Sequence, residues 1–162
     1  MLWPITTTRS ERGDLIIGGC SVNDLAERFG TPLYIFDEAT LHERAERVVR
    51  AFAERDPDAR VVYGGKAYLS PAVIRILHGH GIGLDVVSGG EIYGGLRAGI
   101  PAADMVFHGN NKTAEELRYA LAEGIGVIVL DNEDEIGRLD EIAGQVAFGL
   151  NQSGTKVPVM LR

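Results

Sequence analysis

Short apolar runs recur along this chain about every 22 residues, at 60–64, 84–87, 105–108 and 126–130, with a longer gap before the last at 157–161. Segments with helical spacing lie between them. This internal βα repeat constrains the fold more than any single motif. Alternating strands and helices make a parallel sheet with right-handed crossovers. Within each run the apolar positions are consecutive, which predicts strands covered on both faces. An open doubly wound sheet and a closed (β/α)₈ barrel both fit.

The joints between strands and helices carry their own signals. Pro71 opens a helix at a first-turn position. Ser88 is a candidate cap for the segment from Gly90, and Thr113 with Glu116 reads as a capping box. Asn132-Glu133-Asp134-Glu135 repeats the acidic first turn. The 21 glycines gather at such junctions rather than in a linker.

The first 59 residues lack this rhythm. Asp14–Gly19 reads as a strand and turn, and Ser21–Gly30 as a short helix with Ser21 as cap and Gly30 as stop. Thr31–Phe36 is predicted to be a strand, and Glu38–Arg55 an amphipathic helix ended by Asp56-Pro57-Asp58. A complete (β/α)₈ barrel takes about 250 residues. Here 162 residues hold five strands of the rhythm and stop at Arg162, directly after Val159-Met160-Leu161. The expectation is a chain cut in mid-fold.

Composition narrows the function. Hydrophobic residues make up 45% and charged residues 24%, as in soluble globular proteins. A net charge of -7 without a basic stripe argues against a nucleic-acid partner. No apolar run is long enough to span a membrane, and Met1-Leu2-Trp3-Pro4 does not begin a signal peptide. One cysteine, Cys20, rules out an intramolecular disulfide and a Cys-rich zinc site. His42, His78 and His80 read as surface residues whose spacing makes no metal set. A cytoplasmic protein without a metal is expected.

Three stretches at strand ends carry chemistry. Val61-Val62-Tyr63-Gly64-Gly65-Lys66-Ala67 places a lysine at the mouth of a strand. A buried amine there loses its proton easily and can form a Schiff base with an aldehyde cofactor; the plainer reading is a solvated end-of-strand charge. Leu84-Asp85-Val86-Val87-Ser88-Gly89-Gly90-Glu91 gathers Asp85, Ser88 and Glu91 at a strand's C-terminal end, the active face of a barrel. It also reads as a helix start capped by Ser88, with Glu91 favouring the dipole. In Val106-Phe107-His108-Gly109-Asn110-Asn111-Lys112, His108 is a candidate proton carrier or donor to a substrate carboxylate, or else a loop histidine beside turn-forming asparagines. Gly65-Lys66 is not a Walker loop, since Arg60 and Ala67 stand where Gly and Ser/Thr are required. The glycines at 79–83 and 89–95 do not spell a dinucleotide fingerprint.

Taken together, the stretches at 63–67, 84–91 and 107–112, preceded by Gly30-Thr31-Pro32-Leu33-Tyr34-Ile35-Phe36-Asp37, resemble the diaminopimelate decarboxylases, pyridoxal-phosphate decarboxylases with an alanine-racemase-like barrel. The resemblance runs from about residue 14 to the end, and the His-Gly-Asn-Asn-Lys run points to the diaminopimelate branch. It implies an α/β fold, an incomplete (β/α)₈ TIM-like barrel of the alanine racemase type with about five of eight parallel strands. Residues 1–30 would belong partly to the family's β-domain, and 31–162 to the N-terminal part of the barrel.

The resemblance also implies roles. Lys66 would hold pyridoxal 5'-phosphate as a Schiff base, Asp85 and Glu91 would sit near the cofactor, and His108 would line the same face. Arg162 would approach the cofactor's phenolic oxygen. The implied reaction is decarboxylation of meso-2,6-diaminopimelate to L-lysine, by a homodimer when full-length. The family's ring-stacking histidine, its glycine-rich phosphate site and its β-domain cysteine and tyrosine have no counterpart in this chain, and Cys20 is in the wrong place to serve. The chain by itself is therefore expected to be inactive or nearly so. Two alternatives stand beside this: a decarboxylase of the same fold acting on ornithine, arginine or a carboxylated polyamine, and a non-catalytic cofactor-binding or interaction half-barrel.

Overall fold

A computed structural model describes residues 3–149 and 156–162, with side chains described to 146 and from 156. Met1 and Leu2, read above for a leader, lie outside the described residues. The chain divides into two compact units, Met1–Pro57 and Asp58–Arg162.

In the first unit, β1 (Thr8–Arg9), β2 (Leu15–Ile17) and β3 (Cys20–Ser21) form an antiparallel sheet. Helix α1 (Val22–Phe29) starts where predicted, because the Ser21 hydroxyl accepts the Asp24 N–H. It stops at Gly30, whose φ of 81° suits glycine. Helix α2 (Glu38–Ala53) is capped by Asp37, which accepts the Thr40 N–H at 2.8 Å. The Thr6 hydroxyl donates to the other Asp37 oxygen at 2.8 Å. The expected strand at Thr31–Phe36 is absent: this stretch pairs with no strand among the described residues, and Tyr34 is exposed. Its apolar, β-prone side chains set an extended preference, but a strand also needs a neighbour for its backbone.

The second unit carries the repeat. Its strands are β4 (Val62–Gly64), β5 (Gly83–Val86), β6 (Met105–Phe107), β7 (Val127–Leu130) and β8 (Val159–Leu161). They pair in parallel in the order β4-β5-β6-β7-β8. Helices α3 (Pro71–His78), α4 (Gly89–Arg97), α5 (Ala114–Glu123) and α6 (Glu133–Gly149) fill the four crossovers. A doubly wound sheet reverses its strand order at a switch point. This order never reverses, so right-handed crossovers leave all four helices on one face, as in part of a barrel.

The pleat divides the strand residues accordingly. Leu84, Val86, Met105, Phe107, Ile128 and Leu130 point under the helices and meet Ile74, Ile92, Leu117, Leu139 and Ile142 in one buried cluster. On the other face Val62, Val106, Val127 and Met160 line an open cleft of about 510 Å³. On this face Val129 is buried while Val62 and Met160 are exposed, so among the described residues the expectation of strands covered on both faces holds fully for the helix face and only in part for the other. Residues facing a barrel's interior are as apolar as those facing its helices, so a consecutive apolar run does not tell the two apart.

Candidate active site

Lys66, Asp85, His108 and Arg162 come from four different strand ends, yet they line one cleft of about 670 Å³. Register explains this. Tyr63 pairs with Leu84, Leu84 with Met105, Val106 with Val127 and Ile128 with Val159, so the C-terminal ends of the strands finish side by side. Lys66 sits in a 3-10 turn, Gly65–Ala67, that leaves β4. Room for this turn depends on Gly65: a β-carbon there would lie 2.9 Å from Leu69 Cδ1 and 3.1 Å from the Asp85 carbonyl oxygen. The Lys66 side chain is exposed rather than buried, and it has no hydrogen bond or ion pair among the described residues. The buried amine considered above is therefore not found among the described residues, which match the plainer reading of an exposed end-of-strand lysine.

Asp85 faces away from the helix-covered core. Its Oδ1 lies 2.8 Å from His108 Nδ1. An ionised carboxylate only accepts hydrogen bonds, so Nδ1–H is the donor, and in the neutral ring Nε2 then carries the lone pair. His108 is fixed from the backbone as well, its N–H donating to the Val86 carbonyl at 2.8 Å. Gly109 follows with a φ of +113°, a conformation that favours glycine. It turns the chain so that Asn110 and Asn111 also face the cleft. These asparagines line the site besides forming the turn, which their turn propensity alone did not reveal.

Arg162 enters from β8, its N–H donating to the Leu130 carbonyl at 3.0 Å. Its guanidinium lies 3.5 Å from Asp131 Oδ1. Asp131 was missed in the sequence, although it follows β7 as Lys66 follows β4 and His108 follows β6. Position after a repeat strand was the signal that could have found it. Glu91 is placed one layer back. Its carboxylate accepts the Val87 N–H at 2.8 Å, and it is Val87 that reaches the cleft.

Among the described residues no group of three or more His, Cys, Asp or Glu could hold a metal ion. A larger groove of about 920 Å³ in the first unit is lined by apolar side chains such as Ile17, Leu25 and Phe29, and has no lysine or arginine. A lysine and an arginine are found instead in the smaller cleft.

The model of the family described as pyridoxal-dependent decarboxylase, pyridoxal binding domain, matches residues 38–160. The chain belongs to the pyridoxal-dependent decarboxylases. Pyridoxal phosphate is the cofactor of this family. Among its relatives, the diaminopimelate decarboxylase of Bacillus subtilis (strain 168) is 43% identical over 157 residues, covering 97% of this chain and 34% of the relative. That of Actinosynnema pretiosum is 45% identical over 142 residues, covering 88% and 31%. The structure of the diaminopimelate decarboxylase from M. jannaschii in complex with L-lysine superposes with a TM-score of 0.84 at 31% identity, over 100% of this chain and 36% of that one. The chain thus spans about a third of the length of these decarboxylases. No helix among the described residues is long and apolar enough to cross a membrane.

Proposed function

We propose that this chain supplies the lysine-bearing part of a pyridoxal-phosphate-dependent diaminopimelate decarboxylase, which releases carbon dioxide from meso-2,6-diaminopimelate to give L-lysine. The observation that carries the reading is the convergence of Lys66, Asp85, His108 and Arg162 on one cleft at the C-terminal ends of parallel strands. The identities of 40–45% to diaminopimelate decarboxylases support this branch. The His-Gly-Asn-Asn-Lys run at 108–112 supports it too.

The residues fit the cofactor at its aldehyde end. Lys66 offers a primary amine without a competing partner among the described residues, in a cleft with a guanidinium and two amides. When bound, pyridoxal phosphate supplies an electron sink for the pair left behind as carbon dioxide departs. Lys66 would hold the cofactor covalently through its Nζ. Asp85 holds the His108 ring so that Nε2 is free to accept or hold a proton. Arg162 would present its guanidinium to an anionic oxygen of the cofactor, with Asp131 Oδ1 3.5 Å away to steady it. Asn110 and Asn111 add amide donors and acceptors without charge. Glu91 acts from behind the cleft, through Val87.

The same resemblance supports a cytoplasmic homodimer as the working protein, with residues 1–30 joining partly to a β-domain and 31–162 forming the start of the barrel. Sedimentation of the full-length protein tests the dimer. The central experiment is borohydride trapping with pyridoxal phosphate, followed by peptide mass mapping. A single adduct on Lys66 is expected. Labels scattered over many lysines, or none, would overturn the assignment.

A further inference from the structure

Lys112 is the most deeply buried cation among the described residues, its side chain fully shielded from solvent, and its partner Glu135 is shielded almost as completely. The ammonium lies 3.0 Å from Glu135 Oε1 and 3.1 Å from Oε2. It donates to the Gly109 carbonyl as well, and it sits 5.8 Å from the Phe107 ring centre. Glu135 Oε2 in turn accepts the Asp131 N–H at 3.0 Å, and the Asn132 side chain caps the Glu135 N–H at 2.9 Å. Arg138 closes the group by donating to the Lys112 carbonyl at 3.2 Å. Neither Lys112 nor Glu135 lines the cleft. Two buried charges gain little stability over an apolar pair of similar volume, so a role in specifying position deserves a test.

The pair joins a loop that borders the cleft to a turn that meets it through Arg162. Lys112 belongs to the loop after β6, which carries His108, Asn110 and Asn111. Glu135 belongs to the first turn of α6, four residues after Asp131, the residue that meets Arg162. The neighbouring unit has a similar link: Glu116 at the start of α5 accepts the Gly89 N–H at 3.0 Å across to the start of α4. In both cases the third helical residue is a glutamate that reaches back to the preceding βα loop.

We propose that the buried Lys112–Glu135 pair is a positioning device that locks the 108–112 loop to the 131–135 turn, and so sets His108 and the two asparagines in the cleft and Asp131 against Arg162. This deepens the functional reading above and rests on it. Lys112 and Glu135 act through the residues they hold.

The test uses the full natural polypeptide. Removing Lys112 alone would strand a buried carboxylate and threaten the fold, so the pair is replaced together as Lys112→Met with Glu135→Gln, which keeps an acceptor for the Asp131 N–H. Circular dichroism and protection of the β5–β7 amides serve as the folding control. Expected are faster amide exchange at 109–113 and 131–135 without cofactor, altered His108 ring signals in NMR, and pyridoxal phosphate binding weakened by roughly ten- to a hundredfold, the scale of an ångström-sized misplacement. Unchanged exchange in both loops would overturn the proposal whatever the cofactor does, and so would loosened loops with unchanged cofactor binding. If the double variant does not fold, exchange in the unaltered protein decides: the two loops must open together, and independent opening overturns the proposal. If the unaltered protein fails to take pyridoxal phosphate on Lys66, the functional reading falls, and the proposal falls with it as a statement about the cofactor site; the exchange data still show separately whether the pair joins the loops.

Discussion

Replacing Gly65 with alanine would place a methyl group against Leu69 and the Asp85 carbonyl, with Glu91 Oε2 at 3.4 Å. Two of these neighbours are packed side chains and one is backbone, so the turn carrying Lys66 must shift. Overpacking of this kind costs about 1–3 kcal/mol; urea unfolding of Gly65→Ala in the full polypeptide should show that loss together with weaker trapping at Lys66. Lys66→Ala should abolish the trapped adduct outright. Asp85→Ala should weaken it less, because Asp85 works by holding the His108 ring; peptide mapping after borohydride reduction separates the two. At this scale the sequence was informative where a residue's place after a strand set its place in the cleft, as for Lys66 and His108. It left the exposure of Lys66 between two readings and was silent on the Asp131–Arg162 contact, since both depend on what stands next to them in space.

Between residues and the molecule lie the βα units, and their helix starts are a repeated device. Ser88 with Glu91, Thr113 with Glu116 and Asn132 with Glu135 each combine a capping side chain with a glutamate three residues on. Thr113→Ala should cost about 0.5–2 kcal/mol, measured by denaturant titration. Glu116 also gives a pH prediction. The Thr113 N–H, first, and the Gly89 N–H hold its carboxyl below the usual range, against an opposing effect of burial. A carboxyl depressed in the folded state stabilises fully above its unfolded value, about 4.3 for glutamate. That contribution is lost as pH falls through the lower folded value. Stability of Glu116→Gln should therefore depend less on pH in the acid limb, and denaturant midpoints at several pH values check this. The capping box and the acidic turn were legible because they are local. The reach of Glu116 to Gly89, and of Glu135 to Lys112, spans a crossover and has no local signature.

For the molecule as a whole, the sheet edges matter most. Among the described residues β4 and β8 each have a paired strand on one side only, and Val159, Met160 and Leu161 are exposed. Unpaired edges with apolar side chains invite further pairing. The 162-residue chain alone should therefore form oligomers or aggregates, and a monodisperse monomer by light scattering would contradict this. The same preparation should decarboxylate diaminopimelate far more slowly than a full-length relative, since the chain spans about a third of such relatives. A rate assay on both proteins decides.

The sequence by itself determined the βα repeat, the parallel sheet, the helix caps and the lysine at a strand mouth, because each follows from residues within one or two turns of one another. The repeat alone did not decide between a doubly wound sheet and a partial barrel, since both share that local rhythm; the family resemblance pointed to the barrel. Strand order decided it: five strands in chain order place every helix on one face. Only the tertiary structure gathered Lys66, Asp85, His108 and Arg162 into one cleft and buried Lys112 against Glu135. Those meetings are set by register and crossover, which bring together residues 19 to 96 positions apart in the first case and 23 in the second.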